Sequence, residues 1–277
     1  MPELPEMQGL AERMHDLFSG ALLRRVAPLQ FSAAKTADPP IEGLYGRALE
    51  SVGRRGKFVV MHFGGPRVLV HLSQGGRVDF EDPPKTTRPK PGVVRFFFDD
   101  RPSILVKEFG TQRKAGWWVL AEGDDGPLER LGPEPGSPEF DEIILTADDR
   151  RRVHTILRDQ KTVAGIGRGY SDDILHRARL SPYVSLAKLG EAERRALLDA
   201  TKEVLDDALA LERARTGGLP TKISGRFVVH GHHGEPCPRC GDELKRVWHE
   251  DYEIAYCPSC QTGGKVLADR RLSRLIR

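Results

Sequence analysis

Pro2 stands directly before Glu3, and four cysteines fall as Cys237-Pro238-Arg239-Cys240 and Cys257-Pro258-Ser259-Cys260. Once Met1 is trimmed, Pro2 presents a secondary amine. An α-amino group titrates near neutrality, so part of it is unprotonated and nucleophilic at physiological pH. Such an amine can attack a carbon at the aldehyde level and form an iminium that acts as an electron sink. The Glu3 carboxylate beside it can move protons. A proline at position 2 more commonly serves only to permit trimming of the initiator, so the motif needs support from the rest of the chain.

The four cysteines are the only ones in 277 residues and are spaced C-x2-C-x16-C-x2-C. Two thiolate pairs separated by a hairpin's length close a tetrahedral site on one zinc ion. The competing reading is two disulfides in an exported protein. The chain opens without a charged n-region and apolar h-region, and no stretch is long enough to span a bilayer. The spacing therefore predicts one Zn2+, held by Cys237, Cys240, Cys257 and Cys260, in a cytoplasmic protein (nucleoid-associated if bacterial) that is neither secreted nor membrane-bound. Four sulfurs complete the shell, so the metal is expected to hold structure only. His230, His232 and His233 are surplus to it and read as exposed strand-end residues.

Among the elements that must position these groups, residues 3–18 read as a helix with Leu10, Met14, Leu17 and Phe18 on one side. Runs at Phe58–Phe63, Val68–Leu72, Val93–Phe98, Ile104–Val106 and Trp117–Leu120 read as strands of an antiparallel sandwich or barrel. Glu122 to Pro138 reads as a linker. Helices are expected at Thr146–Arg158, opened by a Thr146-x-x-Asp149 cap, at Ser171–Arg177 and at Glu191–Arg215, with Gly217-Gly218 closing the block.

The composition, 39% hydrophobic and 30% charged, is that of a globular protein with two or three units. A net charge of +3 permits a polyanionic partner without demanding one. Basic clusters at Arg54-Arg55-Lys57, Arg150-Arg151-Arg152, Lys265 and Arg270-Arg271-Arg274-Arg277, beside a zinc ribbon, suit a phosphate-tracking surface.

With those features in place, the chain resembles the formamidopyrimidine-DNA glycosylase and endonuclease VIII family of base-excision repair enzymes. The motifs run nearly end to end: Pro2-Glu3-Leu4-Pro5-Glu6, Arg55-Gly56-Lys57-Phe58, His71-Leu72, Phe109-Gly110, Asp159 through Gly167, Tyr170, Ser181-Pro182, Gly234 through Cys237 and Tyr256 through Gln261. The resemblance implies an α+β multidomain fold. An N-terminal helix and antiparallel β-sandwich (1–125) would precede a helix–two-turn–helix domain (126–225) and a zinc ribbon with a basic tail (226–277), with DNA bound in the cleft between. It also implies a monomer acting on double-stranded DNA that contains damaged bases or abasic sites. Pro2 would attack the sugar's anomeric carbon, Glu3 and Lys57 would serve the acid–base steps, and β-elimination would cut the strand. His71, Arg150, Lys161, Gly167, Arg168 and Tyr170 would serve DNA binding, and Phe109 would wedge between bases.

Several departures bear on specificity. The family segment Gly-Ile-Gly-Asn-Ile-Tyr-Ala-Asp-Glu reads Gly165-Ile166-Gly167-Arg168-Gly169-Tyr170-Ser171-Asp172-Asp173 here. Arg168 still offers phosphate a charge and a fork of donors, while the shorter Asp173 leaves its role open. Ser73-Gln74 replaces the wedge methionine of one branch. Glu108 replaces an arginine that contacts the orphaned base, and could accept from a cytosine amine. The segment from Gly217 to Cys237 is too short for the loop that caps oxidised purines, which leans the reading towards oxidised pyrimidines and ring-opened lesions. Tyr252, flanked by Glu250, Asp251 and Glu253, takes the place of the ribbon's usual arginine, which implies an acidic tip and a weaker δ-elimination. The five basic residues after Cys260 would compensate. A catalytically weak damage-binding protein on the same scaffold is the alternative, and a zinc-ribbon transcription or RNA-binding factor the third reading.

Overall fold

The computed structural model describes residues 1–110, 112–221, 225–249 and 252–268, with His249 by its backbone alone. Glu250, Asp251 and the cluster from Arg270 to Arg277 lie outside the described residues. The chain divides into two compact units, Met1–Arg130 with Ala208–Ile223, and Leu131–Asp207 with Ser224–Arg277.

In the first unit, apolar residues at helical spacing build α1 (Leu4–Phe18), which buries Met7, Leu10, Ala11, Met14 and Phe18. Leu17 does not join them: it is 36% exposed, because the packed face is set by Met7, Leu10, Met14 and Phe18. The strands are β1 (Leu23–Pro28), β2 (Ser51–Arg55), β3 (Phe58–His62), β4 (Arg67–His71), β5 (Gly76–Glu81), β6 (Gly92–Phe98), β7 (Ser103–Glu108) and β8 (Gly116–Leu120). They form two antiparallel sheets, ordered β1-β6-β7-β5 and β2-β3-β4-β8. Alternation decides which side chains face inward. Val59, Met61, Val68 and Val70 share one core with Val94, Phe96, Ile104 and Val106 of the other sheet, closed by α1. Val60, Leu69 and Leu120 face the opposite way and pack under Phe58, Trp118 and Leu128.

Strands β1, β2 and β5 escape the sequence reading because they are rich in charge and glycine, and their pairing comes from distant partners. The chain after Gly217 lies along β5: Val78 and Leu219 exchange backbone hydrogen bonds of 3.3 and 2.7 Å. A Cβ at Gly218 would stand 2.0 Å from the Val78 carbonyl oxygen.

The second unit holds α2 (Pro138–Thr146), α3 (Val153–Arg158), α4 (Arg168–Arg177) and most of α5 (Glu191–Arg213), whose last turns from Ala208 belong to the first unit. The ribbon follows, with β9 (Lys245–His249), β10 (Tyr252–Tyr256) and the short α6 (Pro258–Thr262). The expected single helix over Thr146–Arg158 is not formed. Ser137 caps α2, accepting from Phe140 N at 3.2 Å, with Pro138 in the first turn where its missing N–H costs nothing. Thr146 ends that helix, its hydroxyl donating back to the Glu142 carbonyl at 2.8 Å. Asp149 is held by Arg151 at 2.6 Å instead of capping. The linker span also contains a 3-10 turn at Gly126–Arg130. Among the described residues, no helix is long and apolar enough to cross a membrane.

Candidate active site and nucleic-acid interface

The head of α1 is built by its own side chains. Glu3 is the N-cap residue; its carboxylate accepts the backbone N–H of Glu6, and its own N–H donates to Glu6 Oε2 at 2.7 Å. Pro2 is buried, as are Glu3 (3% exposed) and Glu6 (0%), at the helix end where backbone N–H groups and the dipole favour anions. Farther along α1, Gln8 Oε1 accepts from Arg54 Nε at 2.9 Å, which ties the helix to β2. Three residues beyond Arg54, Lys57 lies buried in the two-residue turn joining β2 to β3. Gly56 opens that turn at φ 55°, a left-handed conformation a side chain would resist.

His71 sits opposite Phe58 in the β3–β4 ladder, with the two rings 4.7 Å apart. Burial and the neighbouring Lys57 charge push its imidazole down to about 4, so it is neutral at physiological pH. The first unit thus groups Lys57 with His71, and fastens the Pro2–Glu3 helix to the strand that leads into Lys57. Phe109 follows β7 with its ring 41% exposed and its N–H donating to the Gly75 carbonyl at 3.0 Å. Only glycine fits at 75, where a Cβ would meet the Phe109 carbonyl oxygen at 1.8 Å.

In the second unit, Gln160 shapes the turn before α4. Its Oε1 accepts Gly165 N at 2.9 Å, and its Nε2 donates to the carbonyls of Arg158 and Ile166 at 2.8 and 2.7 Å. Gly165 takes φ 100°, and Gly167 is the extended N-cap residue of α4. Arg168, Lys161 and Arg150 are exposed, whereas Gly167 and Tyr170 are buried. The Tyr170 ring packs edge-on against Phe227 at 5.1 Å.

The four cysteine Sγ atoms lie within 4.8 Å of one another, and none is in a disulfide. The separations Cys237–Cys260 (3.9 Å), Cys240–Cys257 (3.4 Å) and Cys240–Cys260 (3.4 Å) approach the edge of about 3.8 Å that a tetrahedron of ~2.3 Å zinc–sulfur bonds requires. An all-sulfur set suits zinc, and the residues present fit one ion with no open position.

The formamidopyrimidine-DNA glycosylase N-terminal domain matches residues 1–118, and that family's H2TH domain matches 131–218. The formamidopyrimidine-DNA glycosylase of Thermus thermophilus is 33% identical over 282 residues, covering 95% of this chain and 100% of that one. The chain belongs to the formamidopyrimidine-DNA glycosylase family. As a member it is a DNA-repair glycosylase that binds DNA. An uncharacterized formamidopyrimidine-DNA glycosylase-like protein of Mycobacterium tuberculosis is 42% identical over 152 residues, covering 53% of this chain and 94% of that one. The crystal structure of the Thermus thermophilus protein superposes with TM-score 0.80 at 30% identity, over 96% of this chain and 100% of that one. The Lactococcus lactis protein, solved with abasic-site DNA, matches the fold with TM-score 0.80 at 23% identity, over 94% and 99% of the two chains.

Three positions, Glu108, Tyr252 and His230, stand differently from their sequence reading, and Asp173, left open there, takes a defined place. Glu108 does not present its carboxylate to a base: it is 2% exposed and accepts the N–H groups of Lys114 and Ala115 at 2.9 and 3.0 Å. Tyr252 does not form part of an exposed acidic tip. It is 1% exposed, stacked on His154 with ring centroids 5.5 Å apart, and Arg158 Cζ lies 3.7 Å from its ring centre. Its neighbour Glu253 is paired with Arg246 at 3.1 Å and His233 at 3.5 Å.

Asp173, whose role the sequence leaves open, accepts the N–H groups of Val228, Val229 and His230 at 2.8, 2.9 and 3.2 Å. Burial pushes its carboxyl up to about 6 against those donors. His230 is not a strand-end residue: its Nδ1 meets the buried Asp172. Sequence reasoning misses Asp172 and Gln160 as organisers. Both lie within the family motifs, but the motif match alone assigns Asp172 no structural role, and an acid two residues beyond Tyr170 inside a helix ordinarily marks a solvated face.

Proposed function

We propose that this family member is a bifunctional DNA glycosylase and abasic-site lyase acting on oxidised bases. The observation that carries the reading is Pro2, directly ahead of a buried Glu3 that caps α1, on a helix fastened to the strand before buried Lys57. In this reading the target nucleotide is flipped out of the duplex at a cost of a few kcal/mol. The Pro2 nitrogen attacks the anomeric carbon, the bond to the base breaks, and the base leaves with a proton. The sugar's C1′–O4′ bond then opens, the ring oxygen taking a proton from Glu3, and the resulting iminium acidifies the adjacent sugar carbon. Loss of that proton drives departure of the 3′ phosphate, and water then releases the enzyme. Glu3 and Lys57 carry the proton transfers.

Phosphate contacts fall to His71 as a neutral donor and to Arg150, Lys161, Arg168 and the Gly167 amide at the α4 N-terminus, with Tyr170 supporting that end and Phe109 as the wedge. The substrate is double-stranded DNA with damaged bases or abasic sites, bound by a monomeric cytoplasmic protein. Oxidised pyrimidines and ring-opened lesions are preferred over intact 8-oxoguanine. The domain division at 125/126 and 225/226 belongs to the same reading. The zinc held by the four cysteines maintains the ribbon.

Borohydride trapping on abasic-site DNA tests the chemistry. The expected result is a covalent protein–DNA adduct that Pro2→Gly abolishes. Binding to the same duplex without an adduct favours the second reading, a catalytically weak damage binder. That reading draws on the inward-facing Glu108, which removes an expected contact to a base, and on the buried Tyr252 standing where the family's ribbon carries an arginine.

A further inference from the structure

One side chain at the cysteine cluster comes from outside the ribbon. His176, in the last turn of α4, places its Nε2 3.2 Å from the Sγ of Cys237. Both residues are buried, at 4% and 3% exposure. The knuckle that carries Cys237 also grips the end of α4. Arg239 donates from Nη1 to the His176 carbonyl at 2.8 Å and from Nη2 to the Arg177 carbonyl at 3.2 Å. Carbonyls in the last turn of a helix lack intrahelical partners, and Arg239 adds to the Arg179 N–H that already reaches the His176 carbonyl at 3.1 Å. The second knuckle does likewise just beyond it: Gln261 donates to the Leu180 carbonyl at 2.9 Å while accepting the Cys257 N–H at 2.8 Å.

A sulfur that ligates zinc is a thiolate with no proton to give. At 3.2 Å the imidazole must then supply the proton, because two lone pairs facing one another would repel. We propose that His176 is a positioning residue of the zinc centre, its Nε2–H donating to the Cys237 thiolate and linking metal retention to α4. An N–H aimed at a ligand sulfur fixes its orientation and stabilises its negative charge, and loss of such outer partners typically costs about 10–100-fold in metal affinity. An aromatic ring of similar size would fill the space without donating. Glutamine reaches the same point with an N–H. The proposal rests on the four-cysteine zinc reading.

The test is zinc release from the full-length protein to a chelating dye, comparing wild type, His176→Phe and His176→Gln. Release should quicken roughly tenfold or more in His176→Phe and stay near the wild-type rate in His176→Gln. Phenylalanine behaving as wild type, or glutamine releasing metal as fast as phenylalanine, would overturn the assignment. Should His176→Phe fail to fold, the wild type loaded with an NMR-active cadmium isotope decides. Scalar coupling between the His176 Nε2–H proton and cadmium supports the bond, and an unprotonated Nε2 refutes it. Wild-type protein holding less than one zinc per chain would instead defeat the zinc reading itself.

Discussion

His230 Nδ1 lies 2.6 Å from Asp172 Oδ2, which fastens the segment leading into the ribbon to a carboxylate with no solvent exposure. The same oxygen accepts the Ala255 N–H at 3.0 Å, and Oδ1 meets His154 Nε2 at 3.0 Å. One acid on α4 therefore ties together α3, the pre-ribbon segment and β10. Burial alone would raise its pKa. The hydrogen bonds and charges of His154 and His230 outweigh that and hold the carboxyl below its usual range.

Removing the Asp172 carboxylate takes an acceptor from buried His154 and the buried Ala255 N–H, and from half-buried His230. Asp172→Ala is expected to cost about 3 kcal/mol, measured by urea unfolding. The folded-state pKa is depressed, so the stabilisation is fully present above the ordinary value near 3.8 and is lost as pH falls through the folded value. The variant should accordingly lose less stability than wild type on acidification below pH 4. Parallel acid profiles would count against this account.

His71 and Arg168 should separate in their response to salt. With its pKa lowered to about 4, His71 would meet a phosphate uncharged, so His71→Gln should leave the slope of log affinity against log salt unchanged. Arg168→Ala should make that slope shallower by about one unit. Anisotropy titrations on an abasic-analogue duplex over a salt series check both. The neutral ring also contributes stability that fades only as pH falls from about 6.5 towards 4, so the His71 contribution to binding should be flat across neutral pH. A steeper slope at pH 6 than at pH 8 in wild type, absent in His71→Gln, would contradict it.

Gly169 and Phe227 are complementary in shape. A Cβ at 169 would stand 2.1 Å from Phe227 Cζ. Gly169→Ala is expected to cost roughly 1–3 kcal/mol through overpacking, and Phe227→Ala should relieve most of it. A double-mutant cycle measures the coupling. Simple additivity would mean that the ring moves aside without cost.

Glu108 should matter for stability and not for base choice. Glu108→Ala strands the N–H groups of Lys114 and Ala115, with an expected loss of about 1–3 kcal/mol. Opposite-base preference in Glu108→Gln should match wild type, assayed on duplexes that vary the base facing the lesion. A changed preference would show that the carboxylate reads the base after all.

Cys237→Ser, or exhaustive chelation, should unfold the ribbon and weaken DNA binding together, because structural zinc is folding free energy for so small a module. Zinc content and duplex affinity are the two readouts. Intact values for both in the variant would rule out the structural role.

Local pattern is enough for the cysteine spacing, for α1 and for the five strands dense in β-branched and aromatic residues, because each announces itself within a few residues. The same is true of the Pro2-Glu3 and Gly165-Ile166-Gly167 motifs that carry the candidate chemistry. Helix α2 is legible in Ser137-Pro138-Glu139, a cap and first turn, but the proline and glycine around it read as linker.

What the tertiary structure alone decided is the fate of the charges. Glu108, Asp172 and Asp173 look like solvent- or DNA-facing acids, and all three are buried. Whether a carboxylate can leave water depends on donors brought to it by other segments, such as the backbone of Val228, Val229 and Ala255 and the ring of His154. Those donors lie 18 to 83 residues away in sequence, beyond the reach of any periodicity.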